Sequence, residues 1–163
     1  RTEVDSQTTT SFELYRSLIS PLEQVRQSSR THPEGDALYH TLQVFDLARD
    51  ELPYDEEFLL AALLHDVGKA IDPREHVQAG LDAIAGLVTP RCYWLVEHHQ
   101  DGQALLDNAL GARARRRLEE SEHFDELMLL ARCDRAGRAV GVAVPELDEA
   151  LSYLRDLAEM CGE

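Results

Sequence analysis

Residues 58–72 read Phe58-Leu59-Leu60-Ala61-Ala62-Leu63-Leu64-His65-Asp66-Val67-Gly68-Lys69-Ala70-Ile71-Asp72. The first seven form an unbroken apolar run. A helix that is apolar all round belongs at the centre of a bundle, because every face must be covered. This one runs straight into His65 and Asp66, and Gly68 is expected to loosen or end it. Asp55 opens the helix, after Leu52-Pro53-Tyr54 ends the one before.

Outward from this segment the chain reads as helices. No stretch sustains the period-two alternation of a strand. A first helix is expected over 10–30, with Pro21 kinking or dividing it. Thr31-His32-Pro33-Glu34-Gly35 breaks it, and a second helix follows over 36–51 with Asp36 as its N-cap. Asp72-Pro73 has the residue types of a helix start and predicts the fourth helix there. A fifth is expected over 90–100, ended by Asp101-Gly102. Short helices at 103–110 and 112–120, a longer one at 123–137 and a last one at 146–160 complete the pattern. The reading is one all-α domain of about seven to nine helices. Residues 1–35 form an N-terminal helical extension packing on the domain, 36–138 the core, and 139–163 a loop and helix completing it.

The 163 residues suit one domain that buries a core without disulfides. A hydrophobic share of 44% with 29% charged residues belongs to a globular chain. The net charge of −15 before histidine argues against coating nucleic acid or an anionic membrane through the overall field. No run approaches the roughly 20 apolar residues of a membrane span. The polar start Arg1 to Ser11 lacks the apolar stretch of a signal peptide. Cys92, Cys133 and Cys161 are odd in number and unpaired in spacing, which points to a reduced, cytoplasmic chain. Fifteen of the basic residues are arginine, and Lys69 is the single lysine.

Five of the seven histidines lie between positions 40 and 99. His40 shares a helix face with Ala37, Val44 and Leu47. His65 and Asp66 end the most apolar helix. Asp134 sits on the apolar stripe of Phe124, Leu127, Met128 and Ala131. An inward carboxylate costs several kcal/mol unless it is paired or holds a cation. One divalent metal explains two inward aspartates and two inward imidazoles together. His76, and His98 or His99, could complete a second metal site. His32 and His123 stand in polar, loop-like contexts and read as surface residues. Lys69 is a candidate phosphate contact, with Arg74, Arg135 and Arg138 as further ones. The run Arg113 to Arg117 reads as a solvated helix face compensated by Glu119, Glu120 and Glu122.

These residues resemble the HD-domain superfamily of metal-dependent phosphohydrolases. Its signature, in the form HD-x-G-K, is similar to His65-Asp66-Val67-Gly68-Lys69. Glu75-His76-Val77-Gln78-Ala79-Gly80 resembles the "H-x-x-x-G" segment of the same subgroup, and His98-His99 the double histidine that follows. The resemblance covers roughly residues 36–138. It implies His40, His65, Asp66 and Asp134 as primary metal ligands. It implies His76 and His98, with His99 as competitor, as ligands of a second ion, and Lys69 beside the HD pair. The double histidine lacks the following Gly-Tyr-Pro of the cyclic-di-GMP branch. Neither an RNA-binding module nor a preceding nucleotidyltransferase domain is read, so a small substrate is expected in place of nucleic acid.

The expected chemistry is attack of metal-activated water on phosphorus, with Asp66 and Lys69 as the catalytic pair. The substrate would be a small phosphorylated compound, a nucleotide mono- or diester. One or two divalent ions are implied. Carboxylates suit Mg or Mn, and the imidazole count favours Mn, Fe, Co, Ni or Zn. Two other functions compete: a di-iron oxygenase of the HD type, and a non-catalytic nucleotide-sensing module. Whether the chain forms a homo-oligomer is left open.

Overall fold

The computed structural model describes residues 2–161, with side chains from Thr10 to Met160. The described chain holds eight α-helices and no strand. They are α1 (Thr2–Ile19), α2 (Ala37–Glu51), α3 (Glu56–Leu64), α4 (His76–Ile84), α5 (Pro90–Leu106), α6 (Ala112–Glu119), α7 (Phe124–Ala136) and α8 (Leu147–Cys161). Short 3₁₀ turns cover Ser20–Gln24 and Val67–Ala70. The all-α expectation holds. No helix among the described residues is long and apolar enough to cross a membrane.

α3 is the central rod. Phe58 through Leu64 are all buried, and α1, α2, α5, α7 and α8 pack around it. Its start is fixed twice. The Asp55 side chain accepts from the Phe58 N–H, satisfying one of the orphan donors of the first turn. The same carboxylate receives both arms of the Arg91 guanidinium, each at 2.7 Å. Burial opposes the Asp55 charge. The Arg91 fork and the Phe58 N–H outweigh it and hold the carboxyl below its ordinary range.

Three expected boundaries moved. The first helix ends at Ile19, and Pro21 sits in the 3₁₀ turn that follows. Residues 25–36 are then a non-helical strap, closed at its base by a bridge between Arg26 and Asp36. The fourth helix begins at His76 and not at Asp72-Pro73, because the Asp72 side chain turns to the Arg74 N–H, 3.2 Å away. Asp101-Gly102 ends nothing, and α5 continues to Leu106. A Cβ on Gly102 would stand 3.1 Å from the Ala131 Cβ, so glycine is there to let α7 approach.

Cys92 and Cys133 are free and buried. Burial pushes their thiols up to about 12 and about 11, which makes them packing residues, not nucleophiles. The Cys161 side chain lies outside the described residues. On α6, Arg115 pairs with Glu119 at 2.8 Å, in the exposed i,i+4 manner.

Gly68 carries the sharpest packing constraint. A Cβ there would lie 1.6 Å from the His76 carbonyl oxygen and 2.8 Å from the Gly80 nitrogen. Both obstacles are backbone. Gly68→Ala is therefore expected to cost at least the about 1–3 kcal/mol of an overpacked core, measured by urea unfolding. Asp55→Ala is expected to cost about 1–3 kcal/mol at neutral pH through loss of the cap and the buried partner of Arg91. Because the folded carboxyl is depressed, its contribution is present above the ordinary aspartate pKa. It is lost as pH falls through the folded value. The gap between wild type and Asp55→Ala should narrow in acid, read from unfolding midpoints across pH.

Candidate metal centre

α2, the end of α3, α5 and α7 converge on one buried cluster. His40, His65, Asp66 and Asp134 each offer a donor atom, and the four atoms lie within 4.8 Å of one another. All four residues are buried. Asp66, His76 and His99 form a second such group on the same terms. Asp66 belongs to both.

The orientation of the imidazoles decides what this cluster is. His65 Nδ1 lies 2.7 Å from the Ala62 carbonyl, and His99 Nδ1 2.6 Å from the Val96 carbonyl. His40 Nδ1 lies 2.8 Å from the Gly137 carbonyl. A carbonyl only accepts, so each Nδ1 carries the proton and donates it. Each ring then turns its other nitrogen, Nε2, into the cluster. Those Nε2 atoms face carboxylates. His40 Nε2 is 2.7 Å from Asp134 Oδ1, His65 Nε2 3.0 Å from Asp66 Oδ2, and His99 Nε2 3.5 Å from Asp66 Oδ1. Such contacts are favourable when positive charge sits among them, either as a second proton on a ring or as a cation held between ring and carboxylate. His65 Nε2 is buried and aligned with no hydrogen-bond partner at all.

The titration directions agree. Burial works against charge on His65, and the Asp66 and Asp134 carboxylates overcome it and raise the imidazole well above its ordinary value. Burial would raise Asp66 and Asp134, but His65 above all holds both carboxyls far below the usual range. The pocket favours positive charge among these groups. A divalent metal meets that demand with the donor types it prefers, imidazole nitrogen and carboxylate oxygen. The residues fit such an ion.

A cavity of about 420 Å³ opens onto the cluster. Thr31, His32, Asp66, Lys69, His76, His99, Gln100, Gln103, Asp134 and Arg138 line it. Lys69 donates to Gln27 Oε1 at 2.7 Å and lies 3.3 Å from Asp66 Oδ2. Arg138 is half-buried, and its Nε has no partner. Gln100 donates to His76 Nε2 at 2.8 Å.

The family model for the HD domain matches residues 37–139. This chain belongs to the HD domain family. Among its relatives, the Multifunctional CCA protein of Stenotrophomonas maltophilia strain K279a is 33% identical over 132 residues, 77% of this chain and 32% of that protein. The Multifunctional CCA protein of Halorhodospira halophila strain DSM 244 / SL1 is 44% identical over 71 residues, 39% of this chain and 17% of that one. The HD chain thus spans a third or less of the length of these relatives.

Several sequence-predicted residues fall elsewhere in this HD domain. His98 points away from the cluster. Its ring packs 4.7 Å from Trp94, and its Nδ1 lies 3.0 Å from Asp101 Oδ2. Adjacent residues diverge by about 100° on a helix, so only one of the double histidine can face inward, and it is His99. Arg74 is exposed and does not line the cavity. Arg135 does not line it either. It grips Gln103 Oε1 at 2.7 and 3.0 Å and Asp107 at 3.0 Å. Gln103 in turn donates to Asp134 Oδ2 at 3.2 Å, so Arg135 steadies the cluster from behind.

His32 is not the surface residue that its polar, loop-like context predicts. Its ring lies 4.7 Å from that of His40 and lines the cavity, and burial holds its imidazole below the ordinary value despite Glu34. Gln103 and Gln27 carried no sequence signal, because lone amides form no pattern. The His32-Pro33-Glu34 string could have been noticed only from its closeness to His40 in sequence.

Manganese is expected to raise the melting temperature of metal-stripped protein, by about 1.4 kcal/mol of stability for each tenfold excess over Kd. His40→Ala and His65→Ala should abolish the shift, while His98→Ala should keep it. Differential scanning fluorimetry with and without chelator reads this directly.

Proposed function

We propose that this HD domain is a metal-dependent phosphohydrolase acting on a small phosphorylated compound, a nucleotide mono- or diester. The observation that carries the reading is the set of three Nε2 atoms turned toward two buried aspartates, at the floor of a cavity walled by Lys69 and Arg138. His40, His65, Asp66 and Asp134 would hold one divalent ion. Asp66, His76 and His99 would hold a second, with Asp66 shared. When bound, such ions supply Lewis acidity toward a phosphoryl oxygen and a nucleophile from water at neutral pH.

The chain's own groups do the rest. Lys69 places an ammonium beside Asp66, where it can neutralise a phosphoryl oxygen or a leaving group. Arg138 brings a guanidinium to the cavity wall, a donor fork that suits non-bridging phosphate oxygens. Gln103, clamped by Arg135, keeps the Asp134 carboxylate turned toward His40 and His65. These cationic wall residues favour phosphate as the substrate group over an oxygenase reaction.

Protein loaded with Mn, Mg, Co, Ni, Zn or Fe is expected to release phosphate from nucleotide monoesters or a nucleotide from diesters, and to stop on adding chelator. Asp66→Asn and His65→Ala should lower kcat by about 100-fold or more. Arg138→Ala should raise KM by about tenfold, the loss of one charge-assisted hydrogen bond. No release across the panel in any of these metals would overturn the assignment.

A further inference from the structure

The two groups of donors are not equivalent. His40, His65, Asp66 and Asp134 are all buried, and His65 Nε2 has no hydrogen-bond partner. In the second group Asp66 and His99 are buried, but His76 is half-buried at the first turn of α4. Asp66 is shared with the first group, and the Lys69 ammonium stands 3.3 Å from its Oδ2. A cation in the second group therefore meets a carboxylate that already has a positive neighbour.

The outer histidine of that group is also engaged. The Gln100 amide nitrogen lies 2.8 Å from His76 Nε2. His65 and His99 each bond through Nδ1 to the carbonyl three residues back, Ala62 and Val96. His76 has Pro73, again three residues back, as its backbone partner. Nδ1 sits nearer the main chain than Nε2, so it is the nitrogen that reaches such a carbonyl. Nε2 is left as the atom that His76 can offer beside Asp66 and His99. Turning the Gln100 amide over would exchange donor for acceptor and leave this nitrogen engaged all the same. Gln100 is exposed on α5, one residue beyond His99, and lines the same cavity as His76, Asp66 and His99.

We propose that Gln100 makes the two ion positions unequal: its amide holds His76 Nε2, so the position formed by Asp66, His76 and His99 fills only after the buried one and at the cost of one hydrogen bond. The inference rests on the two-ion form of the hydrolase reading and sets the order in which its ions bind. Gln100 is a positioning residue in this role. It acts on an ion through His76 and competes with it for one atom. The buried position has no such competitor, because its His65 Nε2 is free of hydrogen bonds.

Manganese binding to chelator-stripped protein tests this, by calorimetry with the electron paramagnetic resonance of unbound Mn counting the ions. Wild type is expected to take one ion tightly and a second about tenfold more weakly, or weaker still. Gln100→Ala should tighten the second ion by about five- to tenfold, the scale of one hydrogen bond, and leave the first within about twofold. Gln100→Glu puts a carboxylate oxygen beside the same position and should tighten the second ion at least as much. His76→Ala should lose the second ion and keep the first, which identifies the position. Far-UV circular dichroism confirms that each variant is folded. Equal affinities in wild type, a second ion weakened or unmoved in either Gln100 variant, or one that survives His76→Ala would overturn the inference. So would a single ion in wild type and Gln100→Ala alike, with the hydrolase reading then standing on the buried position alone. Phosphate release from nucleotide esters is followed on the same preparations. No release from any ester, with unequal loading intact, would sink the hydrolase reading and leave the role of Gln100 in place.

Discussion

Three backbone carbonyls govern this protein's centre. Ala62, Val96 and Gly137 each take the Nδ1 proton of a histidine, and so turn the other ring nitrogen into the buried cluster. Everything nearby follows from that choice of tautomer. Two aspartates on buried faces then confront those ring nitrogens, and only positive charge makes the arrangement favourable. The helices are placed to maintain this conflict, not to avoid it. A core designed for stability alone would have put apolar side chains at these positions.

Much of this was written in the chain. The run Phe58 to Leu64 marks the central helix because no face of it is polar. Asp36 and Asp55 mark helix starts because their side chains satisfy the first-turn N–H groups in the structure as the sequence suggests. The inward placement of His40, His65, Asp66 and Asp134 could be read from helical spacing, and the structure gathers all four. Their shared buried position is a one-dimensional signal, since it needs only periodicity.

What escaped the sequence depends on tertiary contact. Asp101-Gly102 looks like a turn, yet the helix continues because α7 closes onto the bare glycine face. His98 and His99 are indistinguishable as letters, and only the rotation of α5 separates them. Asp72-Pro73 has the types of a helix start, but its carboxylate serves a tight turn. Arg135 has the charge of a phosphate contact and spends it on Gln103 and Asp107. The strap carries no periodicity, and its proximity to the metal centre comes from folding back across α2 and the Lys69 turn.

The end of α3 adds something that the donor set alone does not. α3 stops at Leu64, so the Ala62 carbonyl is among the last four of the helix, which lack partners within it. His65 satisfies that carbonyl with its own ring. One residue therefore closes the helix and aims a ring nitrogen into the pocket. The peptide dipoles of an apolar, water-excluded rod sum to a partial negative charge at this same terminus. The negative end of the protein's most buried helix thus lies at the cluster that could hold an ion. The attraction for a cation is built into the backbone of the core, where no side-chain substitution at the cavity rim can remove it.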